Sequence, residues 1–279
     1  MNLRAKTRIV KDLTISARPL QLLKSGIAVG WGIYCAGGNR FELTHDAALV
    51  FIGTILLWAG LYSINDLADV DADRVTVHKR FRPLPAMHIT WIQLLTAGSM
   101  EIALALGILA AAGIAAFAWG GLLLLNQLAY SFEPFRWKQR FGLDVISAAV
   151  LSHGARFALG FRGAAFGTEA CLACAALVLW KIAAYLLYRL EDVPASGPRT
   201  DTAQILGSRK TAILSAVVFA CSLLAFAAYA VRSHLSPTAV AAGVLLYAVA
   251  ILLYIRFRQR RSRSVRLDLL VFSARAQET

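Results

Sequence analysis

The chain has 279 residues, of which 58% are apolar, and a formal net charge of +13. This composition excludes an ordinary soluble domain, because apolar stretches long enough to cross a bilayer recur along the whole chain. The positive charge does not indicate nucleic-acid binding, since the basic residues lie in short loops between the apolar stretches. We therefore predict an all-α, polytopic membrane protein that contacts membrane lipids and binds no nucleic acid.

Eight membrane-spanning helices are predicted, with a ninth, shorter candidate. The ninth stretch, 264–275, is interrupted by Arg266, Asp268 and Arg275 and is short for a bilayer crossing. No removable signal peptide is expected, because no short apolar segment is followed by a cleavage site. In chain order, the eight helices are predicted near residues 20–37, 46–64, 90–110, 113–131, 144–163, 170–189, 211–231 and 238–256.

The basic residues predict the orientation of the bundle. Clusters of Lys and Arg precede the first helix and follow the second, fourth, sixth and eighth, whereas the alternate loops carry little beyond Arg40, Arg162 and Arg232. Positive charge accumulates in cytoplasmic loops. We therefore expect a bacterial-type plasma-membrane protein whose N-terminus and basic loops face the cytoplasm.

The second predicted helix runs into an acidic segment that reads SINDLADVDADRV. On a helix, Asn65, Asp69 and Asp73 share one face, Asp66 lies near that face and Asp71 points away from it. Like charges this close repel each other. Carboxylate oxygens without His or Cys nearby favour Mg²⁺ as the neutralising ion. The sequence therefore predicts a magnesium site at the end of this helix.

Basic side chains follow the acidic segment closely, at Lys79, Arg80 and Arg82. Proteins usually hold Mg²⁺ with one or two carboxylates together with substrate phosphates. Lys and Arg side chains bind phosphate oxygens well. We predict that the segment binds a magnesium-complexed diphosphate; a solvated charged loop is the alternative interpretation.

Polar residues within later spans are predicted to face the bundle interior, because burying them in lipid is costly. Lys181, Tyr185, Tyr188 and Asp192 form one stripe on the sixth helix. His153 and Arg156 form a second interior pair, one turn apart on the fifth helix. Glu101, Asn126 and Gln127 are weaker candidates, since interhelical hydrogen bonding explains a lone Asn or Gln equally well.

The sixth helix, like the second, ends in acidic residues, here Glu191 and Asp192. Both helices run towards the same side of the membrane in the predicted topology. This indicates a single domain built from two four-helix halves, about 1–140 and 141–279, whose acidic ends face a shared cavity.

Five segments, in order along the chain, are similar to those of one family of membrane enzymes. The chain thereby resembles the UbiA-type intramembrane prenyltransferases over nearly its whole length. The matching segments are Arg18-Pro19, Asn65-x-x-x-Asp69-x-x-x-Asp73 with Lys79-Arg80-x-Arg82-Pro83, Tyr130-Ser131-x-x-Pro134-x-Arg136-x-Lys138, Arg156-x-x-x-Gly160 and Thr202-Ala203 to Gly207.

The resemblance implies a helical bundle with a central, lipid-accessible cavity, in which a Mg²⁺-bound polyprenyl diphosphate donates its prenyl group to an acceptor. The implied roles are metal binding by Asn65, Asp69, Asp73, Glu191 and Asp192, diphosphate binding by Asn65, Lys79, Arg80, Arg82 and Arg156, and catalysis by Asp69, Asp73, Lys181, Tyr185 and Tyr188.

The second acidic motif departs from the family pattern. Glu191 and Asp192 are adjacent and point about 100° apart on a helix, and Val193, Pro194 and Ser196 stand where a further acid is usual. The leading hypothesis is prenyl transfer to an aromatic or other lipophilic acceptor. Alternatives are phosphoribosyl transfer to a polyprenyl phosphate, cyclisation of a prenyl diphosphate, and a non-enzymatic lipid-binding or transport protein.

Overall fold

The computed structural model describes residues 3–76, 79–162, 166–191, 200–245 and 247–248. This part of the chain is helical, with one isolated bridge between Arg140 and Thr200. Residues 237–245 form the last helical stretch. The elements before it are α1 (Leu3–Ser16), α2 (Pro19–Ala36), α3 (His45–Val75), α4 (Trp91–Ala112), α5 (Ile114–Ser131), a 3₁₀ turn (Trp137–Gln139), α6 (Leu143–Val145), a π-helical segment (Ile146–Leu151), α7 (Ser152–Phe161), α8 (Thr168–Glu191) and α9 (Thr202–Arg232).

Five helices among the described residues are long and apolar enough to cross a membrane, namely α3, α4, α5, α8 and α9. The prediction of an all-α, polytopic membrane bundle is confirmed. Helix α2 and the run from α6 to α7 coincide with two further predicted spans, so the number of crossings stays a prediction. Most of the predicted span at 238–256, and all of the candidate at 264–275, lie outside the described residues.

The chain forms two compact units, Met1–Tyr229 and Ala230–Thr279. The first unit holds α1 to α8, most of α9 and the described residues of the predicted site. Its core lies between α3, α4 and α5, where Leu57, Leu109 and Leu123 are almost fully buried. The predicted division into halves near residue 140 stays a prediction.

Helices α2 and α7 approach each other closely. A Cβ atom on Gly32 would collide with the carbonyl oxygen of Phe157, and one on Gly160 would collide with that of Val29. Small residues at a helix interface allow such close backbone contact within a membrane. The contact brings polar residues of α2 and α7 together inside the bundle.

Helix α1 was not predicted, because it is polar and contains no long apolar stretch. It nevertheless packs against the loop that follows α3. Leu13 of α1 contacts a small buried cluster that includes Leu84 and Leu94, and Asp12 lies 3.9 Å from Nδ1 of His88. This packing holds the loop that carries Arg82 beside the end of α3.

Candidate active site at the acidic end of α3

The acidic segment lies on the last turns of α3, which continues to Val75 beyond the predicted span. Asp66 and Asp73 are both 2% exposed. The Asp71 side chain, by contrast, is 89% exposed and pairs with Arg74 at 3.1 Å. The structure therefore agrees with the predicted helical face, with Asp66 on it and Asp71 off it. We call Asn65, Asp66, Asp69 and Asp73 the acidic end.

Arg82 joins two carboxylates of the acidic end. Its Nη1 lies 2.6 Å from Oδ2 of Asp73 and 3.3 Å from Oδ1 of Asp66. Lys79 adds a longer contact, with Nζ 3.9 Å from Oδ1 of Asp73. Two of the three predicted basic residues are thus at the site. The third, Arg80, is exposed, and its guanidinium lies over the ring of Phe81 at 4.8 Å.

Two further cations pair with the acidic end, and neither was assigned to the site from the sequence. Arg18, immediately before α2, pairs with Asp66. Lys138, in the 3₁₀ turn after α5, pairs with Asp69. The sequence marked both only as members of family-like segments. The acidic cluster itself could have indicated that further cations lie at the site, because clustered buried carboxylates require nearby positive charges.

Lys138 is 8% exposed. Burial lowers the pKa of its ammonium group, and the neighbouring Asp69 carboxylate opposes that effect. The attraction to Asp69 therefore offsets part of the free-energy cost of removing the Lys138 ammonium group from water.

Asn65 is held in place by α5. Its Oδ1 accepts hydrogen bonds from Oγ of Ser131 at 3.0 Å and from Nε2 of Gln127 at 3.5 Å. Its Nδ2 donates to Oδ2 of Asp69 at 3.2 Å. Gln127, a weaker candidate in the sequence, therefore orients a predicted metal ligand.

The predicted stripe on α8 is only partly buried. Tyr185 is buried, and its hydroxyl lies 3.4 Å from that of Tyr130 on α5. Lys181 is half-buried. Tyr188 is 43% exposed, and its assignment to the cavity stays a prediction.

Arg189 links α8 to the acidic end and was missed in the sequence. Its Nη2 donates to the backbone carbonyl of Lys138, and its guanidinium lies 5.5 Å from the centroid of the Tyr185 ring. The turn that carries Lys138 is therefore fixed from α8, while its ammonium group reaches Asp69.

The predicted second acidic motif cannot be placed. Asp192 lies outside the described residues, and the side chain of Glu191 does too. Two other acids of this region are fully buried. Asp144 accepts hydrogen bonds from the hydroxyl and backbone N–H of Thr202, and Asp201 accepts from the backbone N–H of Gln204 at 3.2 Å. These contacts fix the start of α9.

Arg156 is not among the partners of the acidic end. It is buried on α7 and donates to Oγ of Ser25 at 3.0 Å and to the carbonyl of Ser152 at 2.8 Å. Its guanidinium lies over the Trp58 ring at 4.1 Å. Trp58 precedes Asp66 by two helical turns, about 12 Å along α3. The expected position of Arg156 in the bundle interior is confirmed. Arg156 lies deeper in the bundle than the carboxylates of the acidic end.

The donor atoms at the acidic end suit Mg²⁺ in type. They are carboxylate and amide oxygens, without His or Cys among them. Within the described residues, no three acidic, His or Cys side chains are grouped closely enough to hold a metal by themselves. Mg²⁺ does not require such a group, because water and substrate phosphates usually complete its coordination.

The sequence profile of the UbiA prenyltransferase family matches residues 25–274. The chain belongs to the UbiA prenyltransferase family. UbiA relatives include digeranylgeranylglyceryl phosphate synthase of Methanoculleus marisnigri, 33% identical over 76% of this chain and 73% of that protein. Decaprenyl-phosphate phosphoribosyltransferase of Corynebacterium glutamicum is 30% identical over 54% of this chain, but this match spans less than half of its length, 45%.

Solved UbiA structures share the fold. A UbiA homologue from Archaeoglobus fulgidus bound to GPP and Mg²⁺ superposes with a TM-score of 0.67, at 21% identity, over 88% of this chain and 87% of that chain. The apo structure of a UbiA homologue from Aeropyrum pernix K1 gives a TM-score of 0.69, at 20% identity, over 86% and 90%. The UbiA bundle is thus a polytopic membrane fold, and this chain is an integral membrane enzyme of that family.

Proposed function

We propose that the protein transfers a polyprenyl group from an allylic prenyl diphosphate to a lipophilic acceptor within the membrane, with Mg²⁺. The observation that carries this proposal is the acidic end itself, where three aspartates of one helix face four cations from other segments. A magnesium diphosphate presents both charges that such a site recognises.

Asp69 and Asp73 would hold the Mg²⁺ directly or through water. The ion supplies electrostatic stabilisation of negative charge on the departing diphosphate. The amide oxygen of Asn65 already accepts hydrogen bonds from Ser131 and Gln127, so Asn65 would contribute to the metal site through its hydrogen bond to Asp69 or through water.

The cations would bind diphosphate oxygens and favour the charge that develops there when the allylic bond breaks. Arg82 and Lys138 are the principal candidates. Both already lie against the carboxylates, so a magnesium diphosphate could exchange with these ion pairs without a large movement of backbone.

Tyr185 and Tyr130 line the side of α8 and α5 next to this charge cluster. Their ring faces can stabilise a nearby allylic cation by about 0.5–2 kcal/mol each. The apolar bundle around them would keep water away from the cation.

We propose that this reaction takes place on the cytoplasmic side. Its support is the distribution of basic residues, since every basic cluster lies on the side of the predicted bundle that carries the acidic end. The relative from A. fulgidus, bound to GPP and Mg²⁺, supports the choice of donor.

Phosphoribosyl transfer to a polyprenyl phosphate is the second candidate. The run Lys79-Arg80-Phe81-Arg82-Pro83 favours it by its similarity to that branch of the family. The named phosphoribosyltransferase relative from C. glutamicum supports it as well. The donor would again be a magnesium-bound diphosphate at the acidic end.

One assay separates these reactions. Purified protein is incubated with radiolabelled geranyl, farnesyl or geranylgeranyl diphosphate and a membrane lipid extract, with and without phosphoribosyl diphosphate, and the product is identified by mass spectrometry. We expect a Mg²⁺-dependent prenylated lipid. A product that forms only with phosphoribosyl diphosphate would select the second candidate, and no Mg²⁺-dependent product from any donor would refute both.

A further inference from the structure

The 3₁₀ turn that carries Lys138 is held by two other segments of the chain. From α8, the guanidinium of Arg189 donates to the backbone carbonyl of Lys138 itself. From the chain just before α9, the hydroxyl of Thr200 donates to the backbone carbonyl of Gln139, and Thr200 also forms the isolated bridge with Arg140. The ends of α8 and α9 thus bind consecutive carbonyl groups of one turn.

A further contact extends this attachment beyond the turn. The backbone N–H of Gly142 donates to the hydroxyl of Thr202 at 2.7 Å, and that hydroxyl donates in turn to the carboxylate of Asp144. The backbone from residue 138 to residue 144 is therefore fastened to the ends of α8 and α9. We call Arg189, Thr200 and Thr202 the turn clamp.

Arg189 is itself fixed by its surroundings. It is 8% exposed, its Nη2 lies 3.9 Å from Oδ2 of Asp201, and its guanidinium lies 5.5 Å from the centroid of the Tyr185 ring. Asp201 is fully buried and accepts a hydrogen bond from the backbone N–H of Gln204 at 3.2 Å. A side chain locked by packing and by bonded neighbours can hold another residue in a defined place.

The turn clamp acts on the donor site through Lys138. The ammonium group of Lys138 pairs with Asp69 of the acidic end. A lysine side chain is long and flexible, so the position of its charge depends on where the backbone is held. A cation favours binding and departure of a diphosphate most when it is preorganised at the right place.

We propose that Arg189 and Thr202 are positioning residues, which place Lys138 for binding the diphosphate of the donor. Both bind the backbone that follows α5 rather than the acidic end. This inference rests on the proposed function, since it needs a diphosphate at the acidic end. It gives the corner between α8 and α9, where the second acidic motif was predicted, a part in donor binding that does not depend on a metal there.

The test is a double-mutant cycle between Arg189 and Lys138. Mg²⁺-dependent binding of radiolabelled farnesyl diphosphate to the purified protein in detergent is measured for the wild type, Arg189→Met, Lys138→Met and the protein with both changes. Arg189→Lys keeps a charged donor near the carbonyl of Lys138. Arg209→Met removes an exposed arginine of α9 and is the matched control.

We expect Arg189→Met to weaken donor binding by about tenfold in the wild-type background, and by less than about twofold when Lys138 is already Met. The reason is that Arg189 has no ammonium group left to position in the second background. Arg189→Lys should recover part of the affinity, because it can still donate to the carbonyl. Arg209→Met should bind the donor as the wild type does.

Equal losses in the two backgrounds would overturn the proposal, because Arg189 would then act on the donor directly or only through the stability of the bundle. Melting temperatures in detergent show whether each variant is folded. Thr202→Val removes the hydroxyl that binds Gly142 with little change in size, and it provides a second cycle with Lys138→Met if Arg189→Met does not fold. Additive effects in that cycle would also overturn the positioning role.

Failure of the proposed function gives a different result. The same cycle is measured with phosphoribosyl diphosphate, so that the second candidate donor is covered. If the wild type binds neither diphosphate with Mg²⁺, the donor site and the positioning role are refuted together. If the wild type binds one of them and the effects are additive, only the positioning role is refuted.

Discussion

The ammonium group of Lys138 pairs with the carboxylate of Asp69, and this pair joins the 3₁₀ turn after α5 to the acidic face of α3. The backbone carbonyl of Lys138 is meanwhile bound by Arg189 of α8. A single residue thus connects three segments at the proposed donor site, and it is the clearest place to begin testing it.

Replacing Lys138 with Met should lower turnover by about two to three orders of magnitude, because one preorganised donor to the leaving group is lost. Steady-state rates with saturating Mg²⁺ measure this effect. Lys210→Met, an exposed change on α9, should retain normal rates. Comparable losses in both variants would contradict the role of Lys138.

The same lysine predicts a pH dependence. Burial lowers its pKa, so it loses its proton at a lower pH than an ordinary lysine, and affinity for the donor should fall as the pH is raised through that range. Lys138→Arg should move this fall to higher pH, since arginine stays protonated. Titration of farnesyl diphosphate affinity against pH in the two proteins tests the shift; superimposable profiles would exclude Lys138 as its source.

Asp69→Asn should abolish Mg²⁺-dependent turnover, by about three orders of magnitude or more, while the protein remains folded in detergent. Asp71→Asn is the matched control, because Asp71 is on the same helix but exposed and turned away. We expect near-normal activity for it. Retained activity in Asp69→Asn would refute the metal assignment.

Arg82 and Arg80 form a second matched pair. Arg82→Leu leaves Asp66 and Asp73 without their shared partner. Arg18 still pairs with Asp66 and Lys79 with Asp73, so the loss of stability should be smaller than the about 3–5 kcal/mol of a fully uncompensated buried charge. We expect a lower melting temperature and weaker donor binding. Arg80→Leu removes an exposed side chain and should change neither by much; equal effects of the two substitutions would show that the ion pairs of Arg82 are unimportant.

The close contact of α2 and α7 can be tested by adding a methyl group. Gly160→Ala would place Cβ against backbone atoms of Val29, and overpacking of this kind costs about 1–3 kcal/mol. Gly121→Ala adds the same atom where nothing lies within 4 Å. Thermal unfolding in detergent should separate the two, with Gly160→Ala the less stable protein; equal melting temperatures would argue against a tight interface.

Much of the fold was predictable because a long apolar stretch of sequence is a strong local signal for a membrane-spanning helix. The helices α2 to α5 and α8 lie close to the predicted spans, and α3 continues as a helix through Asp73. Helix α1 was missed because its stability comes from contacts of Leu13 with residues far along the chain. A polar helix held by tertiary packing has no distinctive pattern of its own.

The sequence predicted the carboxylates of the site better than the cations that pair with them. Helical spacing placed Asn65, Asp69 and Asp73 on one face, since that depends on local geometry. The pairing of Arg18 and Lys138 with the aspartates depends on which loops meet, and spacing within one segment cannot specify this. The assignment of Arg156 to the diphosphate stays a prediction. Its depth in the bundle depends on how α7 packs against α2, which spacing within α7 cannot specify.

The Asp69–Lys138 pair also bears on how the protein matures. Its two members are 69 positions apart in the sequence, and the intervening chain includes α4 and α5, which must be inserted before the pair can form. Closing so long a loop costs entropy that only completed packing repays. The Asp69–Lys138 pair would therefore form only after α4 and α5 have packed, whereas the ion pairs of Arg82 with Asp66 and Asp73 join positions much closer in the sequence and can form before it.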